Sequence, residues 1–297
     1  MAATLRELRQ RKKSVSATMK ITKAMELIAA SRVMKAQQRA KRAVPYNDEL
    51  VRAVSTVVSH TDADHPLTVE AENPTRAAVL LIASDRGLAG AYSHNVIRRA
   101  EGLIEKLQAE GKTVELFTTG SKTADYFAFR DIPVERGWTG FSDHPTYADA
   151  KEIGQRMIDE FLTPTEEGGV DELHLVFTRF RSMISQQTQI VRMLPLEVVE
   201  SEEESATGLV EYYNFEPNAN VVLDALMPMY IITQVHFALM AASASELAAR
   251  QQAMHSATDN AKQLIDQLTR DANQARQAEI TQEINEIVGG AGALAGA

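Results

Sequence analysis

Three polar stretches of the chain contain residue types that perform chemistry in other proteins. Residues 84–90 (SDRGLAG) follow an apolar run and have the composition of a phosphate-cradling turn, and residues 120–123 (GSKT) resemble part of a nucleotide-binding loop. Neither motif is complete, because the first lacks the G-x-G-x-x-G spacing and the second lacks an upstream glycine at P-loop spacing. We therefore predict a strand-to-helix turn at the first stretch and a helix start at the second.

The third stretch could be mistaken for a metal site. His60, Asp62, Asp64 and His65 lie close together, and imidazole and carboxylate groups are metal ligands. Their spacing matches neither H-E-x-x-H nor a calcium loop, so we expect a solvated polar loop. Zero cysteines exclude disulfides, a thiol nucleophile and thiolate-bound metal. We predict no catalytic residue, no cofactor-binding residue and no metal ligand.

Charge is distributed unevenly along the chain. The protein has 297 residues and a net charge of −9, from 31 basic and 40 acidic side chains. Residues 1–45 hold 12 of the basic side chains and 2 of the acidic ones, which gives this segment a local charge of +10. A basic segment on an acidic body indicates an acidic partner, such as nucleic acid, anionic lipid or an acidic protein surface. The overall acidity argues against a dedicated nucleic-acid binder.

Residues 1–60 are predicted to form a long helix. Lys12, Thr22 and Glu26 interrupt an otherwise apolar seam, and Met25 lies beside that seam. Pro45 indicates either a kink or a break, and the sequence does not decide between them. The seam has the 3-4-3-4 spacing of a helix packed along a partner helix, and its positions are Leu5, Leu8, Lys12, Val15, Met19, Thr22, Glu26, Ala29, Val33, Ala36, Ala40 and Ala43.

The periodicity changes between residues 76 and 200. Short apolar runs predict buried strands at 77–83, 113–119 and 172–178, and helical patterns predict helices at 92–110, 120–130 and 147–162. A further strand is predicted at 184–199, at a sheet edge because of Pro195, followed by a solvated loop at 200–205. Strands that alternate with helices predict a largely parallel sheet with helices on its faces.

Helical character returns at residue 219 and continues to about residue 288. About seventy residues at ~1.5 Å each would extend roughly 105 Å, so this helix needs a partner helix along much of its length. The predicted partner is the N-terminal helix, running antiparallel. The seam on the C-terminal helix is predicted to contain Ala261, Leu264, Leu268, Ala272, Ala275, Ile280, Ile284 and Ile287. The predicted fold is α/β, with a long antiparallel coiled coil of the terminal helices (1–60 and 217–290) and an inserted α/β domain (76–200).

One part of the C-terminal helix is apolar enough to raise the question of a membrane span. Residues 225–245 carry no charge over a length that could cross a bilayer. Acidic Asp224 and Glu246 flank the segment where basic anchors would be expected, and Thr233 and His236 dilute its apolar character. We predict that it packs against the α/β domain and does not enter a membrane.

Several sequence blocks together resemble the gamma subunit family of F-type ATP synthases of the bacterial type. The blocks lie at both ends and in the middle, so the resemblance covers essentially the whole chain. They are residues 20–31 (KITKAMELIAAS) with 35–37 (KAQ), 84–90 (SDRGLAG), 244–250 (ASELAAR), 257–261 (ATDNA) and 273–284 (NQARQAEITQEI), which leads into 286–290 (EIVGG).

The resemblance implies a coiled coil with a Rossmann-like insert, working as a rotor. In this family the coiled coil is a central stalk inside a hexamer of alpha and beta subunits. Its foot contacts the epsilon subunit and a proton-driven c-ring in the membrane. Rotation presents different faces to each catalytic subunit, which couples proton flow to ATP synthesis and regulates ATPase activity. The implied protein is non-catalytic, binds no cofactor or nucleic acid, and lies peripherally at the cytoplasmic face of the cell membrane.

The resemblance also implies which residues bind partners. Lys20, Lys23 and Arg250 would meet acidic segments of the catalytic subunits, as would Arg6 and Arg9. Met25 falls where added charge harms coupling in this family. Arg276 and Gln277 fall on the pair that bonds the catalytic subunit, and an arginine fork suits a buried carboxylate. Tyr213 and Glu216 fall where the foot contacts the epsilon subunit and the membrane ring.

Two other classes of protein stay open at this point. A nucleotide-dependent enzyme would use the inserted sheet, and an intact dinucleotide-binding motif or P-loop, which this sequence lacks, would favour it. A coiled-coil nucleic-acid or scaffold protein would use the basic helix, and nucleic-acid binding would depend strongly on salt.

Overall fold

The structure of the protein, a computed structural model, describes residues 4–59, 66–183, 185–196 and 215–295, with side chains up to residue 288. The chain divides into two compact units, which are described separately below. The first contains Met1–Ala29 and Gln251–Ala297, and the second contains Ala30–Arg250. Helices α1 (Leu5–Ser59) and α5 (Ala219–Ala295) each contribute residues to both units.

Both terminal helices continue through a proline. Pro45 lies inside α1 and Pro228 lies inside α5, and neither residue ends its helix. A proline removes one helical hydrogen bond and crowds the preceding turn. Close to the two prolines, buried apolar side chains such as Leu50 on α1 and Met227 on α5 hold the helices in place by tertiary packing. Packing therefore outweighs the local cost of each proline.

The second unit contains a five-stranded sheet with helices on both faces. The strands occur in the order β3-β2-β1-β4-β5, and all neighbouring pairs are parallel except β4 with β5. The largely parallel sheet is thus confirmed, with the edge strand at β5 where Pro195 indicated it. The elements are β1 (Arg76–Ile82), α2 (Tyr92–Ala109), β2 (Thr113–Thr119), α3 (Ser121–Phe129), β3 (Arg136–Trp138), α4 (Tyr147–Leu162), a 3₁₀ turn (Thr165–Glu167), β4 (Glu172–Phe180) and β5 (Gln186–Leu194).

Different helices cover the two faces of the sheet, and the side chains of β1 point alternately to one face and to the other. Ala78 and Leu80 point to the face covered by α4 and α5, whereas Val79 and Leu81 point to the face covered by α2. Successive side chains of a strand point to opposite faces, so a strand covered on both sides must be apolar throughout. β1 is 0–2% exposed from Ala77 to Ile82 and meets this requirement.

The apolar segment 225–245 packs in the core of the second unit. Met227, Ile231 and Val235 are each 0% exposed and belong to the same cluster as Ile153 and Met157 of α4. Among the described residues α5 is the one helix long and apolar enough to cross a membrane, a property that buried core helices share. Packing against the α/β domain is therefore confirmed.

The turn after β1 is held by one carboxylate. Asp85 accepts hydrogen bonds from the backbone N–H of Ser121 at 3.0 Å and of Gly140 and Ser142 at 2.9 Å each. It thereby ties together the loops that follow β1, β2 and β3. Gly120, with φ +91°, lets the chain pass directly over Ala83 and precedes the start of α3. Residues 84–90 thus form a strand-to-helix turn and residues 120–123 a helix start, as predicted.

In the first unit, α1 and α5 pack against each other in antiparallel register. The Oγ1 of Thr258 donates to the Oγ1 of Thr22 at 2.9 Å, and a nitrogen of His255 lies 3.2 Å from the Oε1 of Glu26. Moving along α1 by four residues moves the contact back along α5 by three, which is the signature of opposite directions. The buried Ala29 belongs to the same seam of α1.

Charged side chains surround the contact between Glu26 and His255. Glu26 is 8% exposed, and its carboxylate also binds the Nζ of Lys23 at 3.1 Å. His255 in turn lies 3.4 Å from Asp259. Burial raises the pKa of Glu26, but the hydrogen bonds from Lys23 and His255 outweigh it and hold that pKa below its usual value. Such a buried polar set fixes helix register, because any slip would leave a charge without a partner.

The lowered pKa of Glu26 predicts a pH dependence of stability. Because the folded state holds this carboxylate ionised, its contribution is present above the unfolded pKa of 4.5 and is lost as pH falls through the folded value. Glu26→Gln removes this contribution. Below pH 4.5 the melting temperature of Glu26→Gln should therefore fall less steeply than that of the wild type. Thermal unfolding followed by circular dichroism measures both. Glu279→Gln, at an exposed position of α5, is the matched control and should follow the wild type.

Gly120 is predicted to be intolerant of a side chain. A Cβ there would lie 2.6 Å from the carbonyl oxygen of Ala83, and the backbone φ is unfavourable for other residues. Gly120→Ala should lower the free energy of unfolding by about 2 kcal/mol or more in denaturant titrations. Gly102→Ala, in α2 with open space around its Cα, should instead raise it by about 0.5–1 kcal/mol. Equal effects of the two substitutions would contradict the close approach at Gly120.

Candidate functional site

The first half of α1 presents basic and apolar side chains on its outer surface. Lys20 is exposed, Lys23 keeps half of its side chain exposed beside Glu26, and Met25 is half-buried next to the seam. Ile21 and Ile28, one heptad apart, are 60% and 55% exposed. An apolar stripe flanked by cations is typical of a protein-binding surface rather than of a freely solvated helix. Arg6 and Arg9 are exposed near the start of the same helix.

The C-terminal part of α5 extends beyond the end of its partner helix. The register that places Thr22 against Thr258 sets Leu5, the first residue of α1, opposite about residue 275 of α5. The half-buried Ala275 is accordingly the last residue of the seam, and every residue from 276 to 288 is exposed. We call residues 276–288 the tip segment. Arg276 and Gln277 stand at its beginning; both are exposed, and Arg276 makes no ion pair within the described part of the chain.

The predicted seam is wrong for its last three positions. Ile280, Ile284 and Ile287 are 44%, 53% and 71% exposed. The step from Ala275 to Ile280 is five residues rather than the three or four that keep positions on one side of a helix, so these isoleucines lie on a different face of α5 from the seam. Together with the exposed Val288, these residues give the tip segment an apolar stripe without a partner in the described chain. Such a stripe points to burial against another molecule.

Arg250 is engaged inside the second unit. Its guanidinium binds Glu246 at 2.7 Å and donates to the carbonyl oxygens of Arg86 at 3.2 Å and Gly87 at 3.3 Å. Glu246 is 1% exposed, and burial raises the pKa of its carboxyl group despite the adjacent Arg250. Arg250 thus clamps the turn of residues 84–90 onto α5. Glu246 and Arg250 are four residues apart on a helix, and this spacing alone would have predicted their ion pair.

Two further contacts hold α5 at the same edge of the sheet. The hydroxyl of Tyr92, at the start of α2, donates to the carbonyl oxygen of Ala242 at 3.1 Å. The hydroxyl of Ser245 donates to the carbonyl oxygen of Thr178, near the end of β4, at 3.0 Å. α/β proteins commonly bind ligands at the carboxyl ends of their parallel strands. In this chain that edge of the sheet binds α5 instead.

The other positions predicted from the sequence do not lie on the outer face of α1 or on the tip segment. Glu216 is exposed shortly before the start of α5, and Tyr213 lies outside the described residues. His60, Asp62, Asp64 and His65 also lie outside them. Over the ranges that the structure describes, no group of three histidine, aspartate or glutamate side chains could hold a metal ion. The candidate functional surfaces are thus the outer face of α1 and the tip segment.

Comparison with known proteins identifies the family. Residues 4–294 match the ATP synthase family. The ATP synthase gamma chain of Nocardioides sp. is 58% identical over 298 residues, covering 100% of this chain and 98% of the relative. That of Cutibacterium acnes is 54% identical, covering 99% of this chain and 98% of the relative.

Solved structures agree with the fold. A chain of the Euglena gracilis mitochondrial ATP synthase, solved with its F1 part and c-ring, aligns with a TM-score of 0.66 at 18% identity over 98% of this chain and 94% of its own. A chain of the Tetrahymena thermophila central stalk and c-ring aligns with a TM-score of 0.58 at 20% identity over 80% of this chain and 99% of its own. By the sequence matches the protein belongs to the ATP synthase gamma-chain family, and its fold is that of solved central-stalk and rotor chains.

Proposed function

We propose that this member of the ATP synthase gamma-chain family is a non-catalytic rotor whose paired terminal helices turn inside the catalytic hexamer and couple proton flow to ATP synthesis. The tip segment is the observation that carries the proposal. A helix that has no partner in the described chain beyond residue 275 and carries the exposed Ile280, Ile284 and Ile287 needs a surface of another molecule to bury them. A ring of subunits around the helix would supply that surface on all sides.

The surface of the helix pair supports coupling by changing contacts. A cation-flanked apolar stripe occupies the outside of α1, whereas the side facing α5 is closed by Thr22 and Glu26. The helix pair therefore presents surfaces of different composition on its different sides. As it turns, each surrounding subunit would meet a different surface, and its nucleotide affinity would follow from differential contact with those surfaces. In this proposal the chain itself makes and breaks no covalent bond.

We assign the partner contacts by surface. Lys20, Lys23 and Met25 on α1, with Arg276 and Gln277 on the tip segment, would contact the alpha and beta subunits. All except the half-buried Met25 are exposed. Arg250, whose guanidinium already has partners within the chain, would act by positioning the turn of residues 84–90 and would reach a catalytic subunit only through that turn.

The foot and the location complete the proposal. Tyr213 and Glu216 would contact the epsilon subunit and the membrane c-ring, and the exposure of Glu216 is compatible with such a contact. The complex would place this chain at the cytoplasmic face of the cell membrane as a peripheral subunit. The burial of the apolar segment 225–245 in the chain's own core supports a location outside the bilayer.

Arg276 provides the test of the rotor proposal. Arg276→Ala should lower respiration-driven ATP synthesis in inverted membrane vesicles by about tenfold, the effect of losing one charge-assisted hydrogen bond. The melting temperature of the chain should not change, because Arg276 is exposed and makes no ion pair within the described residues. Arg98→Ala, at an exposed position of α2, is the control. Synthesis at the wild-type rate in Arg276→Ala vesicles would refute the proposed contact.

Arg250 is expected to behave in the opposite way. Arg250→Ala leaves the buried carboxylate of Glu246 without its partner, so the free energy of unfolding of the isolated chain should fall by about 3 kcal/mol. The same denaturant titration on Arg276→Ala should show no loss. A stability of Arg250→Ala equal to that of the wild type would mean that the internal clamp is unimportant and would favour a direct contact with the catalytic subunit.

A further inference from the structure

A basic cleft that the rotor proposal does not use lies between α1 and the loop that precedes α4. Its volume is about 610 Å³, which is within the range of small-molecule sites, and its described lining belongs to the second unit. Four cations against one carboxylate make the cleft strongly positive. The lining residues are Arg32, Lys35, Gln38, Arg39 and Arg42 of α1, with Asp143 and His144 of the loop.

The four cations form a row on one side of α1. From Arg32 to Arg42 they follow one another in steps of three, four and three residues, which keeps them on one face of the helix. Ten residues of helix spread the row over about 15 Å. Like charges three or four residues apart repel each other, so the row is unfavourable until an anion lies along it.

The carboxylate in the cleft does not supply that anion to the whole row. Asp143 binds Arg32 at 2.8 Å, and Arg86, from the turn after β1, approaches the same carboxylate at 3.6 Å. Two cations thus neutralise Asp143, which therefore does not repel a negatively charged ligand. The neighbouring Ser142 donates its backbone N–H to Asp85 at 2.9 Å, which holds this wall of the cleft in place.

The other three cations of the row have no anion beside them. The side chains of Lys35, Arg39 and Arg42 make no ion pair and no hydrogen bond within the part of the chain that the structure describes. Arg39 is half-buried, so its guanidinium has lost hydration that no described group of the chain replaces. A phosphate group would replace it well, because the guanidinium fork matches two phosphate oxygens.

The composition of the lining favours a small polyanion over a protein segment or a nucleotide. Protein partners are anchored by aromatic and aliphatic side chains in pockets, and nucleobases stack on aromatic rings. The described lining contains no aliphatic residue and no phenylalanine, tyrosine or tryptophan. The unpaired cations from Lys35 to Arg42 extend over about 10 Å of helix, which is more than a single phosphate can contact.

We propose that this cleft is a binding site for short linear inorganic polyphosphate. Arg39 and Arg42 would each bind phosphate oxygens in a bidentate manner, and Lys35 would contribute a further positive charge. His144 faces the row from the loop and would contact the same ligand. A polyphosphate bound in this way would connect α1 with the loop before α4 and so stabilise that part of the second unit.

The experiment is isothermal titration calorimetry of the full chain at one ionic strength and without divalent cations. The ligands are tripolyphosphate, orthophosphate, ATP and hexaglutamate. Tripolyphosphate should bind at a single site, about tenfold or more tightly than orthophosphate and hexaglutamate, because it brings closely spaced charges to several cations at once. ATP should bind no more tightly than tripolyphosphate, because the cleft offers no surface for a base.

Substitutions locate the site. Arg39→Gln and Arg42→Gln should each weaken tripolyphosphate binding by about tenfold, the effect of losing one charge-assisted pair. Arg42 is exposed, so its substitution tests the site independently of any effect of Arg39→Gln on folding. Two controls remove the same charge outside the lining, Lys41→Gln on α1 and Arg98→Gln on α2, and should bind like the wild type.

Four results would overturn the proposal. The first is no binding of tripolyphosphate, or orthophosphate binding of equal strength. The second is equal or tighter binding of hexaglutamate, which would assign the cleft to an acidic protein segment. The third is tighter binding of ATP, which would mean that a nucleoside is recognised. The fourth is a loss in Lys41→Gln equal to that in Arg39→Gln, which would mean that binding follows net charge. None of these readouts depends on ATP synthesis, so they are independent of the rotor proposal.

Discussion

The antiparallel contact between α1 and α5 is the interaction on which the rest of the structure depends. A helix of 77 residues cannot hide its apolar side by itself, and most helical stability in proteins comes from packing of such a side. In the first unit the contact consists of Thr22 against Thr258 and Glu26 against His255. In the second unit Val33 and Ala36 of α1 share a buried cluster with Ala244, Leu247 and Ala248 of α5. Small side chains allow close axes there, and the polar pairs fix the register.

The same register determines where the chain is exposed. The described contact with α1 reaches about residue 275 of α5, and Ile280, Ile284 and Ile287 beyond it are exposed on a different face from the seam. An exposed apolar face on a single long helix is unfavourable in water and is retained where another molecule buries it. The partner surface proposed for the tip segment thus rests on this separate apolar face of α5.

Sequence periodicity was sufficient for elements whose signal is local. The bounds of β2 and α4 were predicted to the residue, and the apolar run of β1 marked a strand covered on both faces. β3 was missed because three residues cannot establish a period of two, and its Trp138 is buried by contacts distant in sequence. Thr22 and Glu26 were predicted as polar positions of the seam and are buried in it. Their pairing with Thr258 and His255 could not be predicted, since those partners lie more than 200 residues away. The exposure of Ile284 could have been predicted, because the five-residue step from Ala275 to Ile280 turns these isoleucines away from the seam face.

The carboxyl edge of the sheet explains why a motif that looks catalytic serves a mechanical role here. In doubly wound α/β folds this edge offers free backbone N–H groups to ligands. In this chain Asp85 accepts the N–H groups of Ser121, Gly140 and Ser142, which occupies donors that a bound phosphate would need. The carbonyl oxygens of the same turn accept from Arg250, whose partner Glu246 is deeply buried. This turn therefore attaches the α/β domain to the part of α5 that lies in the second unit. The rotor function proposed above would use that attachment.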